Sequence, residues 1–121
     1  MILPSEFITR TRRLLDDEYD LLEQALQTNP PVSIRLNPSK KFEAVDGERV
    51  PWCEQGYYLR ERPSFTFDPL FHAGTYYVQE AASMFVGEAV RQLLSSPALT
   101  LDLCAAPGGK STHLLSVLPA G

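Results

Sequence analysis

The residues best suited to chemistry lie together late in the chain, in the run Asp102-Leu103-Cys104-Ala105-Ala106-Pro107-Gly108-Gly109-Lys110-Ser111. Ala105 and Ala106 lack bulk, so a ligand can approach the backbone there. Gly108 and Gly109 open backbone angles closed to other residues and expose their N–H groups. Pro107 restrains the loop and withholds one donor. A helix starting at the end of this run offers unpaired N–H groups and its dipole to an anion. Asp102 is placed to order the loop or to receive a positive group. A ligand carrying a carboxylate, an ammonium and a nucleoside suits these features better than a bare polyphosphate.

Rival chemistries fit less well. The tail Gly109-Lys110-Ser111 matches the end of the phosphate loop GxxxxGK[ST], but Cys104 stands where that loop needs its leading glycine, and Pro107 removes a further N–H. A P-loop nucleoside triphosphatase therefore stays as an alternative that the pattern argues against. The dinucleotide pattern G-x-G-x-x-G is absent. Cys104 could be a nucleophile or a small residue filling a strand–helix junction, and the junction role is favoured. Cys53 and Cys104 form neither a disulfide framework nor a metal site, so no metal is expected. His72 has no paired nucleophile and reads as a structural residue. Arg10, Arg12 and Arg13 could hold RNA phosphates, although a solvated face balanced by Asp16-Asp17-Glu18 is the simpler reading. Trp52, Tyr57, Tyr58, Phe65 and Phe67 could stack bases, or simply fill the core of a small domain.

Around these residues the pattern predicts the elements that hold them. Ser5 caps a helix with Phe7, Ile8, Thr11, Leu14 and Leu15 at helical spacing. A second helix starts at Asp16-Asp17-Glu18, with Leu22, Ala25 and Leu26 as its buried stripe, and ends at Asn29-Pro30-Pro31. Val32–Asn37 alternates as a half-buried strand, and Asp46-Gly47 marks a turn before further short strands. A helix over Gln79–Leu94 is expected to bury Ala82, Phe85, Val86, Ala89, Val90 and Leu93. A strand over Leu99–Leu103 then feeds the glycine-rich turn and a closing helix. The 121 residues, 44% hydrophobic and 21% charged, have a globular composition with no apolar run long enough to span a membrane. Eleven Lys and Arg against 15 Asp and Glu, a net charge of −4, place any RNA-binding surface locally rather than over the whole chain.

Together these segments resemble the Nop/Sun family of RNA cytosine-5 methyltransferases. DLCAAPGGKSTHL resembles the family's cofactor motif, and FHAGTYYVQEAASM its other cofactor-side motif, in the family's order. PVSIRLNP and the run from VPWCEQGYYL to RPSFTFDPLF are similar to the N-terminal accessory domain of the bacterial ribosomal-RNA members. The resemblance implies an α+β accessory domain over residues 1–70, followed over 71–121 by the first helix–strand–helix portion of a Rossmann-like α/β methyltransferase domain. It implies S-adenosylmethionine as cofactor, with Cys104, Ala105, Ala106, Pro107, Gly108, Gly109 and Lys110 around its methionine part. Its substrate is RNA, with ribosomal RNA favoured over transfer RNA, and its setting the cytoplasm.

In that family a cysteine thiolate attacks carbon 6 of cytosine, and a second cysteine helps release the product. Both lie downstream of the cofactor loop, in Pro-Cys and Thr-Cys motifs that neither Cys53 nor Cys104 matches. No catalytic residue is therefore expected in this chain. It reads as an N-terminal fragment that does not methylate RNA alone and self-associates, or is poorly ordered, after about Gln79. A non-catalytic RNA-binding or regulatory module is the alternative of another class.

Overall fold

Helical spacing of apolar residues near the N-terminus produces two helices in the computed structural model, α1 (Ser5–Leu15) and α2 (Tyr19–Gln27), joined by a single 3-10 turn at Asp16–Glu18. The structure describes residues 2–42 and 44–119. Residues 1–31, with both helices, form one compact unit, and residues 32–121 form another. Pro4, not Ser5, occupies the N-cap of α1, with no side-chain cap bond; the backbone carbonyl of Ser5 instead accepts the Thr9 hydroxyl. Asp16 ends α1 at φ 47° and ψ −117°, outside both helical regions. The Arg12 guanidinium lies 4.5 Å above the ring of Tyr19 and 3.7 Å from Asp20, within its own unit.

The second unit is built on a four-stranded antiparallel sheet of β1 (Val32–Leu36), β2 (Gly47–Arg49), β3 (Gly56–Leu59) and β4 (Tyr76–Val78), in the order β2-β3-β1-β4. β1 is central: Ile34 lies opposite Tyr57 on one side and Val78 on the other. The alternation in Val32–Asn37 predicts one solvated face, yet Ser33, Ile34 and Arg35 are all buried. Both polar side chains bond internally instead: the Ser33 hydroxyl donates to the Gln79 carbonyl at 2.7 Å, and Arg35 Nε to Gln79 Oε1 at 2.9 Å. β4 comes from residues beyond 70, so one sheet joins the two sequence segments.

A short helix, α3 (Pro69–His72), starts at Asp68, whose side chain accepts from Leu70 N. It places Phe71 with Phe65 and Tyr76 in an aromatic cluster whose ring centroids are 5.8–6.2 Å apart. The longer α4 (Ala81–Leu93) and α5 (Gly109–Val117) pack against each other. Val50, Cys53, Ala81 and fully buried Met84 form the core, with Trp52 and Tyr58 against it. Trp52 Nε1 donates to the Ala81 carbonyl. Of the five aromatics considered as a base-stacking platform, Trp52, Tyr58 and Phe65 are thus used in packing, and Phe67 is exposed.

Two expectations are corrected. α4 buries Ala81, Met84 and Gly87, whereas Ala82, Phe85 and Leu93 of the expected stripe are exposed. This helix is apolar on more than one side, so periodicity leaves its orientation open. The choice falls on the side where Gly87 lacks a Cβ, because His113 of α5 fits into that gap. The strand over Leu99–Leu103 does not form: 97–102 has no regular structure, and Leu99, Leu101 and Leu103 are exposed. Strand backbone is satisfied only by a lateral neighbour, and none of the described strands pairs with this segment. No helix among the described residues is long and apolar enough to cross a membrane.

Candidate functional site

The loop between residue 102 and α5 is folded by its own side chains. Asp102 Oδ1 accepts from Cys104 N at 2.9 Å, and Oδ2 accepts from the Ser111 hydroxyl at 2.6 Å. These bonds, that from Ser111 foremost, favour the ionised carboxylate and lower its pKa. Asp102 therefore orders the loop rather than waiting free for a cation. The Ala106–Pro107 peptide is cis, and Gly108 reaches α5 at φ 104°, a conformation that favours glycine. Gly108 caps α5 without a side chain; its carbonyl accepts from Thr112 N at 2.9 Å and from the Thr112 hydroxyl at 2.8 Å. The first N–H groups of α5 thus meet no capping side chain.

The sheet holds this loop from behind. The Tyr77 hydroxyl donates to the Pro107 carbonyl at 3.1 Å. Arg35 Nη2 donates to Thr112 Oγ1 at 2.7 Å and to the Gly109 carbonyl at 3.3 Å, while its Nε is held by Gln79. A Cβ on Gly109 would lie 3.2 Å from the Tyr77 ring and 3.6 Å from the Gln79 amide nitrogen, so loop and sheet touch closely there. β1, β4 and the turn into α4 therefore fix where α5 begins.

The structure brings the seven predicted loop residues, Cys104, Ala105, Ala106, Pro107, Gly108, Gly109 and Lys110, to one cleft of about 200 Å³. Its opposite wall is Tyr77, Val78, Gln79, Glu80 and Ser83, from the segment matching the second motif. Glu80 is the only carboxylate among those lining residues. Sequence reasoning did not single out Tyr77, Gln79, Glu80 or Arg35. The signal available was a charged residue at a strand-centre position, and the alternation of Tyr77 in β4 with Gln79 just past its end.

Of the other candidates, Cys53 and His72 fall outside this cleft. Cys53 is buried, and burial pushes its thiol pKa up, away from a nucleophile. Its Sγ is 3.8 Å from Nε2 of His113, which is 1% exposed. Burial, with help from Arg35 and Arg91, lowers the His113 pKa to about 4, so the ring is neutral at pH 7. Its Nδ1 has no partner among the described residues. His72 Nε2 bonds the Thr66 carbonyl at 2.8 Å, a structural role. Cys104 is exposed on the loop.

Residues 3–81 match the family described as the N-terminal domain of 16S rRNA methyltransferase RsmF. The chain is 29% identical to ribosomal RNA small subunit methyltransferase F of Vibrio atlanticus, over 96% of its own length and 28% of that protein's. The protein of the same name from Pectobacterium atrosepticum is 30% identical over 96% and 27% of the two chains. Among solved structures, a methyltransferase homolog protein from Pyrococcus horikoshii superposes with a TM-score of 0.76 at 28% identity, over 95% of this chain and 41% of that one. The chain thus spans little more than a quarter of the curated relatives it matches.

Proposed function

The chain belongs to the family of the N-terminal domain of 16S rRNA methyltransferase RsmF, and from that premise we propose that it is the N-terminal part of an S-adenosylmethionine-dependent ribosomal RNA (cytosine-5) methyltransferase. Residues 1–70 are its accessory segment, and residues from 71 onward open its Rossmann-like catalytic domain. The observation that carries this reading is the cleft in which the glycine-rich loop faces Tyr77–Glu80 across the uncapped start of α5.

The residues present suit the amino-acid end of S-adenosylmethionine. Backbone N–H groups at the start of α5 are donors for a carboxylate, and Glu80 is the acceptor for an ammonium. The small side chains of Ala105 and Ala106 leave the backbone accessible. A cleft of about 200 Å³ is smaller than the ~300 Å³ lower end for small-molecule sites, so it holds part of the cofactor. When bound, the cofactor supplies an activated methyl group. This chain's residues bind and orient it: Asp102 and Ser111 hold the loop's shape, and Tyr77, Gln79 and Arg35 hold the loop against the sheet. Phosphate-loop chemistry is poorly served, because Cys104 N and the Ser111 hydroxyl both donate to Asp102. The nucleophilic cysteine is assigned to residues outside this chain, since Cys53 is buried and Cys104 belongs to the loop.

A chimera tests this. Residues 1–121 replace the matching segment of the Vibrio atlanticus relative, and transfer of labelled methyl from S-adenosylmethionine to small-subunit ribosomal RNA is measured. The folded chimera is expected to transfer methyl to cytosine carbon 5, and this chain alone to transfer none. A folded chimera without transfer, or transfer by the chain alone, overturns the proposal.

A further inference from the structure

On the side of Arg35 away from Gln79 lies a second cleft, of about 440 Å³, that the reading above does not use. Its walls include Arg35, Asn37, Ser39, Lys40, Thr112 and Ser116, and no Asp or Glu among the described residues lines it. In a chain of net charge −4, a cleft with two cations and no carboxylate among the described residues is a local reversal of sign.

Arg35 makes this more than a surface patch. It is 4% exposed, and every acceptor it reaches is neutral: the Gln79 amide, the Gly109 carbonyl and the Thr112 hydroxyl. A buried guanidinium is ordinarily paired with an anion, because removing its charge from water is costly. None of the ion pairs among the described residues involves Arg35. Its Nη1 has no acceptor among those residues, and Arg35 lines the cleft. Nε and Nη2 are held by protein, which fixes the plane of the fork and leaves Nη1 as its uncommitted nitrogen. Lys40 is exposed on the same cleft and donates one of its three N–H bonds to the Ala73 carbonyl, leaving two.

We infer that this cleft binds a phosphate group through Arg35 Nη1 and Lys40, with the Ser39 and Ser116 hydroxyls beside it, and that the phosphate belongs to the RNA backbone. The phosphate chemistry follows from the cleft alone. Its source in RNA rests on the proposed function. A planar guanidinium edge beside a mobile ammonium suits a phosphodiester, which offers two unesterified oxygens to separate donors. The contact positions RNA without reading its sequence. Arg35 also donates to Thr112 and Gly109, so the anion sits one residue away from the start of α5 and from the cofactor loop.

The test uses backbone amide shifts of this chain on titration with inorganic phosphate and, separately, with a short single-stranded RNA oligonucleotide. Both are expected to move the amides of residues 35–37, 39, 40 and 112. Arg35→Met strips Gln79, Gly109 and Thr112 of their donor and can unfold the unit, so exposed Lys40→Met carries the test. It is expected to weaken RNA binding and to make the slope of log K against log salt shallower by about 1. Silence of these amides towards both probes overturns the site. RNA binding with an unchanged salt slope in Lys40→Met does so too. Shifts with phosphate but none with RNA overturn its assignment to RNA. RNA binding that shifts other amides only, with this cleft silent, refutes the inference and leaves the proposed function standing.

Discussion

Substituting Gly87 by Ala tests how α5, and with it the loop, is seated. A Cβ on Gly87 would lie 2.5 Å from both Cε1 and Nε2 of His113, about an ångström inside ordinary contact. The obstacle is not a flexible tip: His113 is 1% exposed, and its ring is enclosed between α4 and Cys53. Overpacking of this kind costs roughly 1–3 kcal/mol. Alanine in a helix interior returns about 1 kcal/mol of propensity relative to glycine. The net expectation is a loss of ~0–2 kcal/mol in urea unfolding of residues 32–121, with faster amide exchange in residues 109–112. The background His113→Ala removes the obstacle, so there Gly87→Ala should stabilise by about 1 kcal/mol. The sign reversal between the two backgrounds is the signature. Equal stabilisation by Gly87→Ala in both refutes the account of the α4–α5 contact.

Two further perturbations bear on the same elements. His113 has a folded pKa of about 4 against an ordinary 6.5, so the unfolded chain binds the extra proton first as pH falls. Its contribution is intact above pH 6.5 and is lost as pH drops towards 4, by at most about 3 kcal/mol. Unfolding of wild type and His113→Gln across that window should converge at low pH, and parallel curves would contradict it. Gly108→Ala meets no atom within 4 Å but must keep φ 104°, so it should cost about 1–2 kcal/mol through backbone strain alone. Calorimetric melting should show that loss without any change in the Gly87→Ala effect.

Much of the fold was legible because short periodic segments determine it. The pattern through Ser5–Gln27 and the alternation around Ile34 became elements at nearly the expected places, whereas Gly47 of the expected Asp46-Gly47 turn instead begins β2. The resemblance to the bacterial ribosomal-RNA members of the Nop/Sun family was carried by several motifs in order, and the family match bears it out. What remained hidden was tertiary. Arg35 occupies a position that alternation assigns to solvent, and its partners Gln79 and Thr112 stand 44 and 77 residues away in sequence. α4 has apolar residues on two sides, and only the gap at Gly87 selects which one is buried. Leu99–Leu103 has the composition of a strand, but composition cannot supply a pairing partner.

The central claim is that the loop at 104–110 takes the amino-acid end of S-adenosylmethionine and not a polyphosphate. Amide shifts of this chain on titration with S-adenosylmethionine, and separately with ATP, test it most directly. S-adenosylmethionine should move the amides of residues 104–111 and of Glu80, with affinity weaker than micromolar because the cleft holds only part of the cofactor. ATP should leave them in place. Larger shifts with ATP, or none with S-adenosylmethionine, would contradict the account.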